Sequence, residues 1–300
     1  MRKSAVLAIL IFLFSAIPEL ALASAGSSGF IFLRISAGSR PASMGEAVTA
    51  SGNDITSAFY NPALLRSFEG KNQVVFMYNS YFKDVTQNYL ALASKGKNYS
   101  LGGYLALGRV AEFERWINPD TVSLGTFEEN NFIGALSFSY SFNKIDLGLS
   151  CKYAYEKIDY RSTGAYMIDA GVFMPINKEF SAGIAVKNLG NKVKFITESY
   201  SLSREFRAGL SYKPIYFQQS LELVSDVVFY SDIDTKVNFG AEYKFNRSFA
   251  LRAGYGIGYD SRGISFGGGV FYRQFKFDYA FVGYKNDLGS THRFTVGAVF

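Results

Sequence analysis

Charged residues of both signs recur at alternating positions of long amphipathic stretches. They are Asp146, Lys152, Glu156, Asp169, Lys187, Arg207, Glu222, Asp226, Glu242, Lys244, Arg252, Arg273, Lys276, Asp278 and Arg293. Charges that share a face must be paired or hydrated once buried. The chemistry they offer is ion pairing between segments, or a polar path for a solute. No reactive set accompanies them. His292 is the single histidine and Cys151 the single cysteine, so a histidine cluster and an intrachain disulfide are both excluded. His292 reads as a structural residue near the outer rim of its strand, and Cys151 as a small thiol on an apolar face. No Cys/His metal spacing is present, and no Ser-His-Asp set can be argued from residue order. Gly254 to Gly258 and Gly267-Gly268-Gly269 are Gly-rich but precede no helix, which argues against a phosphate loop. Glycine in such stretches permits tight curvature or close approach of another segment. The expectation is a non-enzyme with no catalytic, metal or cofactor site.

The elements that must position these charges are strands. In the stretch from Asn131 to Glu156, Phe132, Gly134, Leu136, Phe138, Tyr140 and Phe142 alternate with small and polar residues. After Asn143-Lys144 the alternation resumes, with Ile145, Leu147, Leu149, Cys151, Tyr153 and Tyr155 on one face. Period-two patterning is strand patterning. The arms are about twice the usual five to six residues of a soluble strand and match the roughly 9–11 residues of a tilted membrane-crossing strand. One apolar face and one small or charged face fit the lipid-out, lumen-in pattern of an outer-membrane barrel. A long hairpin in a soluble β-sandwich has the same local pattern, so repetition has to decide.

The pattern repeats over 73–82, 86–94, 98–107, 131–142, 144–156, 165–174, 179–188, 203–213, 217–230, 235–245, 248–257, 264–273, 274–284 and 291–300. That is about 14 strands, an even number. Connections alternate between tight (Asn143-Lys144, Arg273-Gln274) and longer (Gly108 to Asn130, Lys157 to Gly164, Leu189 to Leu202), as the two rims of such a barrel require. If the first strand rises from the periplasm, the long loops lie outside and both termini lie inside. Composition agrees: 17% aromatic, with 29 Phe and 21 Tyr but only 6 Pro. The net charge of +6 is spread without a basic cluster, so nucleic acid is not an expected partner.

Residues 1–25 read as a signal peptide, with Arg2-Lys3, an apolar run from Ala5 to Ile17, and small residues at Ala21 to Ala25. Residues 26–72 lack the dyad pattern, are rich in small residues and cannot build a core alone, so they are expected to pack inside residues 73–300, the barrel. Helical turns are expected around Met44–Ala50 and Ile55–Tyr60, the second capped by Asn53 or Asp54. Arg40 and Asp54 are natural partners for wall charges. The connection Gly108 to Asn130 carries Phe113, Trp116 and Ile117, a candidate partner-contact surface. The last strand ends in Phe294, Val296, Ala298 and Phe300 on one face. A terminal aromatic resembles the recognition signal of the barrel assembly machinery, an expected partner during biogenesis.

Several elements carry a family resemblance. They are Gly38-Ser39-Arg40-Pro41, Met44-Gly45-Glu46-Ala47, Asn53-Asp54, Asn61-Pro62-Ala63-Leu64-Leu65, Phe277-Asp278-Tyr279-Ala280-Phe281 and Leu288 to Phe294. Together they resemble the PorV/PorQ family of FadL-like outer-membrane proteins. The resemblance implies a 14-stranded transmembrane barrel with an N-terminal hatch whose motif is Arg40, Met44, Gly45, Asp54, Asn61, Pro62 and Ala63. Such proteins include hydrocarbon transporters and barrels of a secretion system. Two functions follow as expectations: a secretion-linked scaffold that contacts secreted proteins or secretion components, or a FadL-like channel for uptake of small hydrophobic molecules. A tightly filled lumen favours the first, and a gap in the wall or a kinked strand favours the second. In either case outer-membrane lipid surrounds the barrel.

Overall fold

The computed structural model describes residues 28–81, 85–116, 122–194, 198–246 and 248–300. The expected signal peptide and Ile117 lie outside the described residues. The strands are β1 (Ser28–Gly29), β2 (Asn72–Ser80), β3 (Val85–Lys95), β4 (Tyr99–Glu114), β5 (Thr126–Phe142), β6 (Ile145–Ile158), β7 (Arg161–Pro175), β8 (Phe180–Gly190), β9 (Val193–Lys194), β10 (Ser199–Leu202), β11 (Glu205–Tyr212), β12 (Leu221–Tyr230), β13 (Lys236–Phe245), β14 (Phe249–Ile257), β15 (Arg262–Tyr272), β16 (Phe275–Tyr284) and β17 (Ser290–Val299). Strands β2–β8 and β11–β17 close into one antiparallel barrel of 14 strands, as expected. Closure pairs β17 with β2, from His292↔Ser80 to Val299↔Gln73. A closed barrel has no sheet edges, and it excludes the sandwich.

Alternation sorts the side chains. Leu92, Leu101, Leu136, Phe249 and Leu251 stand outward and exposed, while Ala93, Ala135, Ala250 and Arg252 are buried in the lumen. An apolar belt this wide belongs against lipid. Cys151 stands on that exposed face. His292 bonds Tyr279 Oη at 2.8 Å and Ser290 Oγ at 3.2 Å at the top of β17, a structural position.

At the lower rim the chain end meets the first barrel strand: Asn72 N–H donates to Phe300 O at 2.7 Å and Phe300 N–H to Asn72 O at 2.9 Å. The tight turns Asn143-Lys144 and Arg273-Gln274 lie at this rim, so Arg273 is an exposed turn residue and not the lumen charge expected from the alternation. At the upper rim two expected loops are largely strand. Strands β4 and β5 stay paired as far as Phe113↔Phe127 and Glu114↔Thr126, and β6 and β7 run on to a turn at Asp159-Tyr160. These extensions stand above the membrane, where both faces are wet and the apolar dyad that marks a strand is lost.

The N-terminal segment occupies the lumen. Strand β1 pairs in parallel with β10 through Ser28↔Ser201 and Gly29↔Leu202, and β10 pairs with β9. This small sheet belongs to the upper connection 191–204, so the described chain starts at the rim opposite Phe300. The expectation placed both termini at one rim; Ser28, the first described residue, lies at the other rim from Phe300, and the residues before it lie outside the described ones. The segment then descends. Helix α1 (Ser39–Ser43) ends at Met44, and the left-handed conformations of Gly45 (φ 63°) and Glu46 (φ 63°) stop it there. The turn expected over Met44–Ala50 is thus displaced toward the N-terminus. The second expected turn is present as a 3-10 helix, Ile55–Phe59, with Asp54 as its cap, and a third follows at Pro62–Arg66.

Candidate functional site: the plug and its wall

Backbone chemistry shapes the plug before any wall contact. Asp54 accepts from Thr56 N at 2.9 Å, and Asn61 accepts from Ala63 N at 3.1 Å with Pro62 at the first helical position. Each cap therefore spends one side-chain group on its own helix and offers the rest to the wall. Asn61 Nδ2 donates to Val172 O of β7 at 3.0 Å and to Thr49 O at 2.9 Å. Wall glycines make room for this approach. A Cβ at Gly148 would lie 2.2 Å from Ala63 N, and one at Gly254 would lie 2.0 Å from Gly45 N. Hence Gly45, Pro62 and Ala63 sit directly against barrel backbone, and Met44 is fully buried between β13 and β14.

Charge then pins the plug. Arg40, 1% exposed, reaches Glu242 at 3.1 Å and Glu222 at 3.0 Å, and donates to Ser51 Oγ at 2.8 Å. Glu242 also takes Arg252 at 2.6 Å; Arg252 takes Asp278 at 2.7 Å; Asp278 takes Lys276 at 3.1 Å; and Lys276 takes Asp54 at 2.6 Å. From Glu222 to Asp54 the signs alternate without a break. Arg40 and Asp54 of the plug motif thus lock into one buried network in which each charge has a partner of opposite sign. Burial alone would lift the Asp54 pKa, but Lys276 and the Thr56 hydroxyl outweigh it and hold the carboxyl at about 2. Burial likewise disfavours the Arg40 cation, and Glu242 with Glu222 more than offsets this and raises its pKa. A second cluster holds the middle of the plug: Arg207 bonds Asp226 at 2.9 Å, Glu205 at 2.8 Å and Thr49 Oγ1 at 2.9 Å.

These pairs lie on β11–β17, one half of the wall. The half formed by β2–β7 meets the plug with an apolar patch, beside polar lumen residues that include the buried Lys152–Asp169 pair at 2.7 Å. Met77, Tyr89, Ala91, Tyr104, Ala106, Ile133, Ala154, Ala165 and Met167 are buried in one cluster with Phe30, Phe32 and Phe59 of the plug. Phe59 stands 5.8 Å from Tyr104 and 6.5 Å from Tyr89, centroid to centroid. Above the plug a cavity of about 960 Å³ opens at the upper rim. Its walls carry Arg34, Glu46, Tyr81, Asp232, Tyr259, Arg262 and Tyr284. Arg34 pairs with Asp232, and Arg262 with Glu46 at 3.0 Å.

The sequence-level site residues divide three ways. Arg40, Met44, Gly45, Asp54, Asn61, Pro62 and Ala63 converge on the plug–wall contact. Phe113 and Trp116 stand exposed on the β4–β5 projection, where Phe113 stacks on Phe127 at 5.2 Å. Phe300 lies exposed at the lower rim with its backbone paired to Asn72. Arg34 and Thr49 went unnoticed in the sequence, and Glu46 entered only within the Met44-Gly45-Glu46-Ala47 element, without a role of its own. The rule that found Arg40, a charge in a segment otherwise small and apolar, applies equally to Arg34 and Glu46.

No protein-family model matches the chain, and no curated protein matches it. Solved structures do. The Ralstonia pickettii toluene transporter TbuX superposes with a TM-score of 0.68 at 12% identity over 90% of this chain and 100% of that one. The Pseudomonas putida toluene transporter TodX gives 0.64 at 11% over 88% and 96%. A Pseudomonas aeruginosa FadL homologue gives 0.54 at 10% over 87% and 97%. At these identities the likeness is one of fold: the 14-stranded barrel of this chain superposes on those transporters.

Proposed function

We propose that the chain is a FadL-like outer-membrane channel that admits small hydrophobic molecules. The observation that carries this reading is the division of the lumen. A water-filled porin has a polar interior, whereas here Met77, Tyr89, Tyr104, Ile133 and Met167 of β2–β7 form an apolar patch against Phe30, Phe32 and Phe59, bordered by polar lumen residues such as Asn79, Asn131 and the Lys152–Asp169 pair. The opposite half holds the plug by ion pairs, which leaves the apolar patch as the side along which a hydrophobic solute slips. The register between β3 and β4 is unbroken from Val85↔Val110 to Lys95↔Ser100, so no side exit opens between these strands. The β7–β8 pairing shifts register between Ile168 and Ala170; passage down the lumen beside the apolar patch, rather than through the wall, requires Phe30, Phe32 and Phe59 of the plug to move aside. The solved transporters of the same fold support the reading. Its test is uptake of labelled toluene, and of a short fatty acid, by cells lacking and then expressing the chain. Uptake that rises with expression and saturates supports a channel, and equal uptake in both contradicts it.

A second reading follows from the PorV/PorQ resemblance: an interaction barrel that holds secreted cargo or secretion components. The filled lumen and the β4–β5 projection with exposed Phe113 and Trp116 favour it. A pull-down from detergent-solubilised membranes, with residues 115–125 deleted as control, separates the two. Specific recovery of secreted proteins, lost on deletion, supports the scaffold. Recovery of the barrel alone supports the channel.

A further inference from the structure

The two rims differ in charge. At the upper rim Arg109 pairs with Glu128 and Arg115 with Asp159, while the exposed Asp234, Asp260 and Asp287 offset exposed cations such as Lys157 and Lys285. At the lower rim five exposed cations, Lys71, Lys97, Lys144, Lys178 and Arg273, occupy five different connections. Among the described residues none of these five has a carboxylate partner. The acids nearby are mostly engaged, since Asp146 lies 4.0 Å from Arg66 and Glu179 accepts from Ile215 N at 3.0 Å.

Each of three of these cations also sits within two residues of an exposed, outward aromatic. Lys97 precedes Tyr99, Lys178 precedes Phe180, and Arg273 follows Tyr272, whose ring centre is 5.3 Å from the guanidinium. Outward aromatics at strand ends mark the level of the lipid headgroups, so the cations lie at that same level. They are also dispersed around the ring, a spacing that suits an annulus of small anions better than one protein partner docked on a single arc.

We propose that the lower rim is a docking surface for anionic phospholipid headgroups, each held by one of the five cations, with a lipid-facing aromatic beside Lys97, Lys178 and Arg273. The inference rests on the membrane-spanning reading of the barrel and on nothing about what the lumen passes. Lys and Arg near an anionic bilayer surface are attracted independently of the leaflet's other contents, and salt weakens the attraction.

The test uses the full chain reconstituted into vesicles of phosphatidylcholine alone, or of equal parts phosphatidylcholine and phosphatidylglycerol. Lipids that stay with the protein after brief detergent extraction are measured by mass spectrometry. The expected result is a phosphatidylglycerol-to-phosphatidylcholine ratio about fivefold above that of the vesicle, reduced at high salt. The variant carrying Lys71→Gln, Lys97→Gln, Lys144→Gln, Lys178→Gln and Arg273→Gln should return to the input ratio. An upper-rim variant, Lys157→Gln with Lys285→Gln, should keep the enrichment. Equal ratios in the native and lower-rim variant chains would overturn the proposal alone. Failure of the native chain to insert in either vesicle would overturn the membrane reading, and the proposal with it.

Discussion

Arg40 Nε of the plug lies 3.1 Å from Glu242 Oε2 of the wall, although 202 positions separate them in the chain. Both side chains are buried, and Glu222 and Arg252 extend the pair into a network. The plug is thus held by charge on one side of the lumen and by apolar packing on the other. Loosening the first side should free it without dissolving the barrel.

Arg40→Ala removes the cation shared by two buried carboxylates and leaves Glu222 and Glu242 short of a partner. Breaking one side of a buried pair costs about 3–5 kcal/mol. Residues 28–71 should lose protection from protease and from amide exchange, while the barrel keeps its heat-resistant mobility on gels. Unchanged protection of that segment would show that packing alone retains the plug.

Gly148→Val tests the close approach of the plug backbone. A Cβ at Gly148 would stand 2.2 Å from Ala63 N, and backbone cannot yield as a flexible side chain can. The variant barrel should assemble with the 62–66 turn displaced, read as new protease cleavage near Arg66 and faster entry of small polar solutes. Gly283→Val is the control, because a Cβ at Gly283 would meet nothing closer than 3.5 Å. Equal cleavage in both variants would refute the steric account.

Acid should release the plug in a defined window. The Asp54 carboxyl is held at about 2 against an ordinary value of 3.8, so it binds its proton more weakly in place than when free. Its contribution is complete above about pH 4 and is lost as pH falls through 2, an effect of about 2 kcal/mol. Amide exchange in residues 54–59 should be flat from pH 7 to 4, after correction for intrinsic rates, and rise below that. Asp54→Asn should be looser at neutral pH and lack the step.

The barrel was legible in the sequence because lipid enforces a strict dyad on every strand, as in Phe249, Leu251 and Tyr255 of β14. The plug was legible by contrast, as a stretch of small residues with isolated charges at Arg40 and Asp54. That these charges meet wall charges follows from burial. That Arg40 meets Glu222 and Glu242, and Asp54 meets Lys276, does not, since barrel closure and the depth of the plug decide it. Strand continues through 108–114 and 126–130 above the bilayer, where wet faces erase the pattern. The entry of the chain at the upper rim depends on β1 pairing with β10, two-residue contacts that leave no periodic trace.

In the proposed channel, solutes pass only when the plug moves. Ser39 Oγ and Thr295 Oγ1 lie 2.7 Å apart across the plug–wall contact, a spacing from which a cysteine pair can close to a disulfide. In a Cys151→Ser background, Ser39→Cys with Thr295→Cys would fix the plug to β17. Toluene uptake is predicted to fall to the level of cells lacking the chain when the pair is oxidised, and to recover on reduction. Undiminished uptake through a barrel shown to be fully cross-linked would contradict the account.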